Sequence, residues 1–313
     1  MAGDRPGDGG GVPPAEHARR RDDQGGGLAE PRTRQEYYVD LQKTLAKQQS
    51  VTAKRITAEE RAAAEKWDED AAEARCIWGK YKQKWPSEER PPVDRSKDPA
   101  GTWYGEGDRK LKPPVSGRVE SACDRIAKRE EDKISPRLRA VESQDPNRHL
   151  IGFEHRLKGR ERIKEKVHDI MNEFDFSPEE AASLVPDAVR YTFQYREARY
   201  AQGVQTDIAR LKDQGFELHK LRNSWSDEQY KGINSQWIAP DSGQRFEVQF
   251  HTRISFEAKQ LTHGAYERLR THRADKFEEL VLEAFQKKVT GEVPVPPGAD
   301  GIPDYPQRGA DAR

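Results

Sequence analysis

The stretch RFEVQFHT (245–252) alternates apolar and polar residues, and it carries the clearest structural signal in the chain. The six alternating residues are Phe246, Glu247, Val248, Gln249, Phe250 and His251. A period of two predicts a β-strand with one buried face. The other face carries a carboxylate, an amide and an imidazole, which fits either an ordinary half-exposed strand or the lining of a site.

The segments on both sides of this strand predict an α+β fold. SQWIAP (235–240) and the turn DSGQ (241–244) precede it and predict a β-hairpin. DAVRYTFQY (187–195) and FELHKL (216–221) are further predicted strands. Helices are predicted before, between and after the strands, near 158–174, 207–215, 255–273 and 276–289. This alternation indicates a mixed β-sheet flanked by helices.

Five regions follow from composition and periodicity. We predict disorder for 1–35, a helical region for 36–90, a Pro-rich linker for 91–117, an α+β domain for 118–292 and a Pro-rich tail for 293–313. Thr57 and Glu60 form a capping box ahead of a heptad-like seam that includes Trp67, Trp78 and Trp85. The seam packs either on the chain's own α+β domain, which we favour, or on another molecule. We expect 118–292 to fold without residues 1–90.

Composition limits the function classes. Lysine plus arginine equals aspartate plus glutamate at 55 each, which argues against bulk nucleic-acid binding. Cys76 and Cys123 form no metal or CxxC pattern and predict free thiols in a reducing compartment. The sequence shows no bilayer-spanning stretch and no apolar signal core, so we expect no signal peptide, no transmembrane segment and no membrane partner.

A basic cluster lies in RLKGRERIKEK (156–166). If a helix begins near Lys158, then Lys158, Arg162 and Lys166 share one face at i, i+4 and i+8, with Arg156 just ahead of it. Cations near a helix N-terminus favour a bound polyphosphate. The alternative is a solvated basic face.

Two acidic residues and one helix complete the candidate site. Asp187 opens one predicted strand and Glu247 lies within another, so the two could hold Mg²⁺ if the strands are neighbours. The alternative is a strand-end aspartate and an edge-strand glutamate. On the helix after the hairpin, an apolar stripe is opposed by a polar stripe that suits water, phosphate or a base. The polar stripe consists of Lys259, His263, Tyr266 and Arg270.

Taken in order, these pieces resemble the RelA/SpoT synthetase domain, the family of pyrophosphokinases that make alarmone nucleotides, over roughly residues 118–275. Its R-x-K-x-x-x-S-x-x-x-K motif is matched by Arg156, Lys158 and Lys166, and its strand-opening aspartate by Asp187. The other matched residues are Glu247, Val248, Gln249, Phe250 and Thr252 of E-[VI]-Q-[IF]-x-T, and His263, Tyr266 and Glu267 of H-x-x-Y-[EK].

The resemblance implies a nucleotidyltransferase-like synthetase fold that moves pyrophosphate from ATP to a 3′-hydroxyl with Mg²⁺. Arg156, Lys158 and Lys166 would bind the ATP phosphates, and Asp187 would hold the metal. Glu247 would bind that metal or take the hydroxyl proton, while Gln249 would orient a substrate hydroxyl. The second-rank phosphate or acceptor contacts would be His263, Tyr266 and Arg270.

The sequence departs from the family at two motifs. Arg162 replaces the serine of the basic motif, and GINSQW (232–237) stands where the family has G-Y-x-S-x-H. Ile233 cannot stack on a guanine as the family's tyrosine does, which leaves Tyr230 and Trp237 as substitutes. The ATP half of the site is therefore retained and guanine recognition is unassigned.

The resemblance extends to a subgroup of toxin domains in bacterial polymorphic toxin systems. It implies action in the bacterial cytoplasm, export as an effector, and an antitoxin or immunity partner. The acceptor is GDP or GTP, an adenine nucleotide, or a tRNA 3′ end. The rival hypothesis is a non-catalytic nucleotide-binding or interaction module that uses the aromatic seam. A third is a nucleotidyltransferase of related fold that releases pyrophosphate.

Overall fold

The computed structural model describes residues 57–86, 98–270 and 274–306. The predictions for 1–56, 87–97, 271–273 and 307–313 lie outside the described residues. The helices are α1 Ala58–Lys84, α2 Val115–Arg129, α3 Ser135–Glu142, α4 Arg160–Phe174, α5 Pro178–Ser183, α6 Tyr200–Asp213, α7 Arg253–Arg270 and α8 Lys276–Gly291. The strands are β1 Trp103–Tyr104, β2 Lys110–Leu111, β3 Arg148–Ile151, β4 Arg190–Tyr195, β5 Glu217–Asn223, β6 Ile233–Ile238 and β7 Arg245–Thr252.

The main sheet has five strands in the order β3-β4-β7-β6-β5. β7 pairs in parallel with β4 and antiparallel with β6, so the strand predicted from RFEVQFHT lies at the centre of a mixed sheet. Helices flank this sheet, which confirms the α+β class. β6 and β7 pair antiparallel on either side of the DSGQ turn, which confirms the predicted hairpin.

One face of the sheet forms the core. Phe246, Val248 and Phe250 of β7 are fully buried, and Phe193 of β4 stacks on Phe250 with ring centroids 6.3 Å apart. Full burial of each such side chain contributes about 1.5–3 kcal/mol. The hydroxyl of Tyr200 on α6 donates to the Phe250 carbonyl at 2.8 Å and ties this helix to the apolar face.

The opposite face of the sheet is polar. Arg190 of β4, Glu247 of β7 and Gln236 of β6 occupy one row across three strands, and Thr192 and Gln249 belong to the next row. Helix α7 begins directly after β7 and turns back over this face, where its Lys259 contacts Gln249. The polar face is therefore partly covered, and it is the place where functional side chains can collect.

The aromatic seam of α1 packs on the chain's own helices. Trp67 is 2% exposed, and its indole N–H donates to Glu257 of α7 at 2.7 Å. Trp78 stacks on Phe285 of α8 with centroids 5.5 Å apart. Helix α1 therefore belongs to the same hydrophobic core as the sheet domain. This packing opposes our expectation that 118–292 folds without the helix, which stays a prediction.

The predicted linker and tail are also folded where the structure describes them. β1 and β2 pair within 98–117, and Trp103 donates to Glu161 of α4 at 2.5 Å. In the tail, Tyr305 and Leu221 of β5 exchange backbone hydrogen bonds of 2.7 and 3.0 Å. This contact covers an edge strand that would otherwise present unpaired backbone groups. None of the described helices has the length and apolar character needed to cross a bilayer.

Candidate active site

Asp187 lies in a 3₁₀ turn, Pro186–Ala188, just before β4 rather than in the strand itself. Both of its carboxylate oxygens are paired: Lys158 Nζ lies 2.9 Å from Oδ2 and Lys166 Nζ lies 2.7 Å from Oδ1. Burial raises the pKa of Asp187, but the hydrogen bonds and charges of the two lysines outweigh this effect and the pKa is lowered. Asp187 is therefore an ionised anchor between two cations.

The two lysines reach Asp187 from different local structures. Helix α4 begins at Arg160, so Lys158 precedes the helix, and its backbone N–H donates to the Ala188 carbonyl at 3.0 Å. Lys166 lies one and a half turns into α4. Arg162, on the intervening turn, binds Glu106 and Glu165 at 3.2 and 2.9 Å instead. The structure thus brings together the two lysines of the predicted cluster and directs Arg162 elsewhere.

Arg156 lies apart from these lysines. Its Nε donates to Oε1 of Glu130 at 2.7 Å, and the same oxygen accepts the Tyr191 hydroxyl at 2.9 Å. The Arg156 guanidinium also lies 4.5 Å from the Phe153 ring centroid. These partners belong to the apolar side of the sheet, because Tyr191 packs there against Phe246. Phosphate binding by Arg156 stays a prediction, and it requires the guanidinium to leave Glu130.

Glu247 and Gln249 form a bonded pair on the polar face. Gln249 Nε2 donates to Glu247 Oε1 at 2.5 Å, and Lys259 Nζ of α7 donates to Gln249 Oε1 at 2.5 Å. Burial raises the pKa of Glu247; Arg190 opposes this effect, the Asp187 carboxylate adds to it, and the pKa is raised overall. A carboxylate with a raised pKa is a stronger base, which suits general acid–base chemistry.

Lys259 is a cation held in a poorly solvated place. Burial and the neighbouring Arg190 lower its pKa to about 8, against the opposing effect of Glu247. Perturbed pKa values of this kind concentrate at functional sites. The sequence placed Lys259 in the polar stripe of α7 without a role and did not single out Arg190. The alternation of β4 already placed Arg190 on the polar face, but only the register between β4 and β7 pairs it with Glu247.

His251, which follows Glu247 and Gln249 in the alternation of β7, has a structural role. It is fully buried, with Nδ1 2.9 Å from the Ser255 hydroxyl and Nε2 2.8 Å from the Tyr230 hydroxyl. Burial lowers its pKa, so it remains neutral. Of these three residues, only Glu247 and Gln249 therefore belong to the candidate site.

The polar stripe of α7 contributes unevenly. Partial burial lowers the pKa of His263, and Glu267 opposes this effect. The positive charges of Lys259, Arg190 and Lys158 lower this pKa further, so His263 lies beside the cationic side chains of the candidate site. Arg270 binds Glu267 at 2.9 Å, and Tyr266 is 52% exposed. These last two lie toward solvent.

The side chains considered for stacking on a nucleobase differ in how far they are exposed to solvent. Ile233 and Trp237 are both 0% exposed, and the Trp237 indole N–H donates to Ser235 at 2.8 Å on the apolar side. Trp237 cannot stack on a nucleobase there, which corrects that expectation. Tyr230 is half-buried, and its hydroxyl donates to Asn234 at 2.8 Å.

The metal expectation rests on Asp187 and Glu247 alone. Within 57–86, 98–270 and 274–306, no group of three or more His, Cys, Asp or Glu side chains is arranged to hold a metal ion. Mg²⁺ commonly takes one or two carboxylates and completes its shell with substrate phosphate oxygens and water. Two carboxylates beside a cationic cluster fit that pattern, provided that Asp187 exchanges a lysine partner for the ion.

No protein-family model matches this chain, and no curated protein matches it. The solved structures that match the chain include three that are each similar to 56% of it. They are smu.1046c from Streptococcus mutans UA159 (18% identity, 88% of that chain, TM-score 0.36), the small alarmone synthetase 1 from Bacillus subtilis (13%, 88%, 0.35) and a GTP pyrophosphokinase family protein from Streptococcus pneumoniae (15%, 87%, 0.36). The site described above is defined by this chain's own residues.

Proposed function

We propose that this protein is a Mg²⁺-dependent pyrophosphokinase that transfers pyrophosphate from ATP to the 3′-hydroxyl of a nucleotide or an RNA end. The observation that carries the proposal is that Asp187, paired with Lys158 and Lys166 just before β4, lies close enough to the Glu247–Gln249 pair for its charge to act on Glu247. Phosphoryl transfer needs charge neutralisation and positioning more than covalent catalysis. A partly buried cluster of cations and two carboxylates supplies both.

The cations account for the donor half of the reaction. Lys158 and Lys166 would bind the triphosphate, with Arg190 adding positive charge nearby. Partial burial strengthens these interactions relative to water. The sequence resemblance assigns the same two lysines to ATP, whereas Arg156 would need to leave Glu130 to join them.

Asp187 and Glu247 would hold Mg²⁺, which on binding would neutralise phosphate charge and make the β-phosphorus more electrophilic. Alternatively, Asp187 would hold the ion alone and Glu247 would accept the proton of the 3′-hydroxyl. The hydroxyl oxygen attacks the β-phosphorus, and the bond from the β-phosphorus to the α-phosphate oxygen breaks. AMP is then the leaving group, and the acceptor carries the pyrophosphate. Gln249 would orient a substrate hydroxyl beside Glu247.

The acceptor class is the open part of this proposal. GDP or GTP would make an alarmone synthetase, an adenine nucleotide would make a depleting toxin, and a tRNA 3′ end would make a translation inhibitor. The resemblance to bacterial toxin domains supports action in the cytoplasm and neutralisation by an antitoxin. Trp237 is buried, so base recognition would fall to other side chains at the polar face.

Thin-layer analysis of γ-labelled ATP with Mg²⁺ and each acceptor class tests the proposal. We expect label transfer to one class and release of AMP, and loss of transfer in Glu247→Gln. Glu217→Gln, on the exposed outer strand β5, is the matched control and should keep activity. Absence of transfer to every acceptor, or full transfer by Glu247→Gln, would overturn the proposal.

A non-catalytic nucleotide-binding module is the second candidate. It is favoured by one observation: both oxygens of Asp187 are already engaged by lysines, which opposes metal binding. Growth arrest on expression separates the two candidates. Arrest that disappears in Glu247→Gln supports the enzyme, and arrest that is unchanged in this variant supports the module.

A further inference from the structure

Three side chains from two elements form a directed chain of hydrogen bonds at the proposed site. Lys259 Nζ on α7 lies 2.5 Å from Gln249 Oε1, and Gln249 Nε2 lies 2.5 Å from Glu247 Oε1, both on β7. A lysine ammonium can only donate and an ionised carboxylate can only accept. The Gln249 amide between them therefore has one allowed orientation, with its oxygen toward Lys259 and its N–H groups toward Glu247.

Burial makes this orientation costly to lose. Gln249 is 4% exposed and Lys259 is half-buried. Without Lys259, the Gln249 carbonyl would lack its charged donor, and the amide could rotate to present its oxygen to the Glu247 carboxylate. Unsatisfied polar groups and like partial charges are both unfavourable where water is excluded.

The orientation also decides which atom of Glu247 is available. The Gln249 amide occupies Oε1, and within the described ranges no side-chain or backbone donor is seen on Oε2. Oε2 is thus the oxygen left to meet an acceptor hydroxyl or a metal. A rotated Gln249 would remove the N–H donor that stabilises the negative charge of Glu247 and would free the carboxylate to turn.

We infer that Lys259 is a positioning residue for the transfer reaction, which acts by fixing the Gln249 amide and, through it, the orientation of Glu247. This inference rests on the proposed function. Other charged groups face Lys259 from neighbouring elements, namely Arg190 on β4 and Glu247 on β7, and Phe256 covers one side with its ring centroid 5.3 Å away. Among these neighbours, Gln249 is the residue that accepts a hydrogen bond from Lys259 Nζ.

The test is a double-mutant cycle on the full-length protein, with steady-state kinetics for ATP. Lys259→Met keeps the length of the side chain and removes the donor. We expect kcat to fall by roughly 10- to 100-fold, the effect of losing one charge-assisted hydrogen bond, with KM for ATP changed by less than about threefold. Lys259→Arg keeps a cationic donor and should recover most of the rate.

The coupling between the two residues distinguishes positioning from an independent effect. If Lys259 acts through Gln249, the double variant Lys259→Met/Gln249→Leu should be no slower than Gln249→Leu alone. Additive losses, or a Lys259→Met enzyme as fast as the wild type, would overturn the role of Lys259 while leaving the proposed function intact. A wild-type protein that transfers pyrophosphate to no acceptor overturns the proposed function, and the role of Lys259 in that reaction with it.

Discussion

The indole ring of Trp78 on α1 lies directly against Gly264 on α7, so closely that a β carbon at position 264 would stand 2.5 Å from a ring atom. Gly264 directly follows His263 and lies five residues after Lys259 on α7. His263 and Lys259 border the candidate site. The contact therefore links the N-terminal helix to the helix that covers the polar face. It also explains why glycine is tolerated inside α7.

Gly264→Ala should lower the stability of the protein. The added methyl group forces the indole or the helix to move, and overpacking of this kind costs about 1–3 kcal/mol. Urea denaturation would measure the loss. Gly79→Ala is the matched control, because a β carbon there meets no atom within 4 Å. Helix propensity predicts a gain of about 0.5–1 kcal/mol at that position. Equal effects at both glycines would contradict the packing explanation.

Asp187→Asn should separate nucleotide binding from turnover. The substitution removes the charge that pairs with Lys158 and Lys166, so both lysines become available to a triphosphate. In EDTA we expect a fluorescent ATP analogue to bind about three- to tenfold more tightly, as measured by anisotropy. Transfer activity with Mg²⁺ should be lost.

The control for Asp187→Asn is Asp241→Asn, an exposed aspartate that pairs with Arg137 at 2.9 Å. It should alter neither binding nor turnover. Weaker ATP binding in Asp187→Asn would show that the two lysines need their carboxylate partner to be held in place for the phosphates.

Lys259→Met should stabilise the protein at neutral pH. The pKa of Lys259 is lowered from 10.5 to about 8, so the unfolded chain binds its proton more tightly than the folded protein does. The charged form thus costs stability below pH 8, and this cost is relieved as the pH rises from about 8 to 10.5. We expect a gain on the order of 1–3 kcal/mol at pH 7, reduced by the lost bond to Gln249.

Thermal or urea unfolding at pH 7 and at a pH near 10 would check this prediction. The advantage of Lys259→Met over the wild type should shrink as the pH rises. Lys212→Met, on the exposed end of α6, should show no such trend. A destabilised Lys259→Met variant at pH 7 would mean that the hydrogen bond outweighs the cost of burying the charge.

Removal of residues 1–86 should destroy cooperative folding. Helix α1 buries Trp67, Ala71 and Ala74 against α7 and α8, and its loss would expose Phe285 to water. Size-exclusion chromatography and a dye that binds apolar surface would detect the expected aggregation. A fragment that begins at residue 57 keeps all the described contacts of α1 and serves as the control. A monomeric, cooperatively unfolding 87–313 fragment would contradict this prediction.

Local sequence patterns predicted much of the fold. The strand RFEVQFHT has the bounds that its alternation indicated, and the DSGQ turn produced the expected hairpin. The capping box at Thr57 and Glu60 also begins α1 as predicted. These features depend on neighbours a few residues away, which is why a single sequence is enough to identify them.

The site depended on contacts that no local pattern contains. Alternation assigned Arg190 and Glu247 to polar faces, but the parallel register that places them side by side joins segments separated by two strands and a helix. The same holds for the lysines that pair with Asp187 and for the direction that Arg156 takes toward Glu130.

By itself, the sequence determined which residues alternate, where helices are capped and which acidic and basic groups are available, because steric and hydrogen-bonding preferences act over a few bonds. Only the tertiary structure decided that Lys259 holds Gln249, that Trp237 is buried and that α1 supports α7. The reason is that side-chain partners are chosen by packing of the whole core, in which distant segments compete for the same buried positions and buried polar groups must find partners.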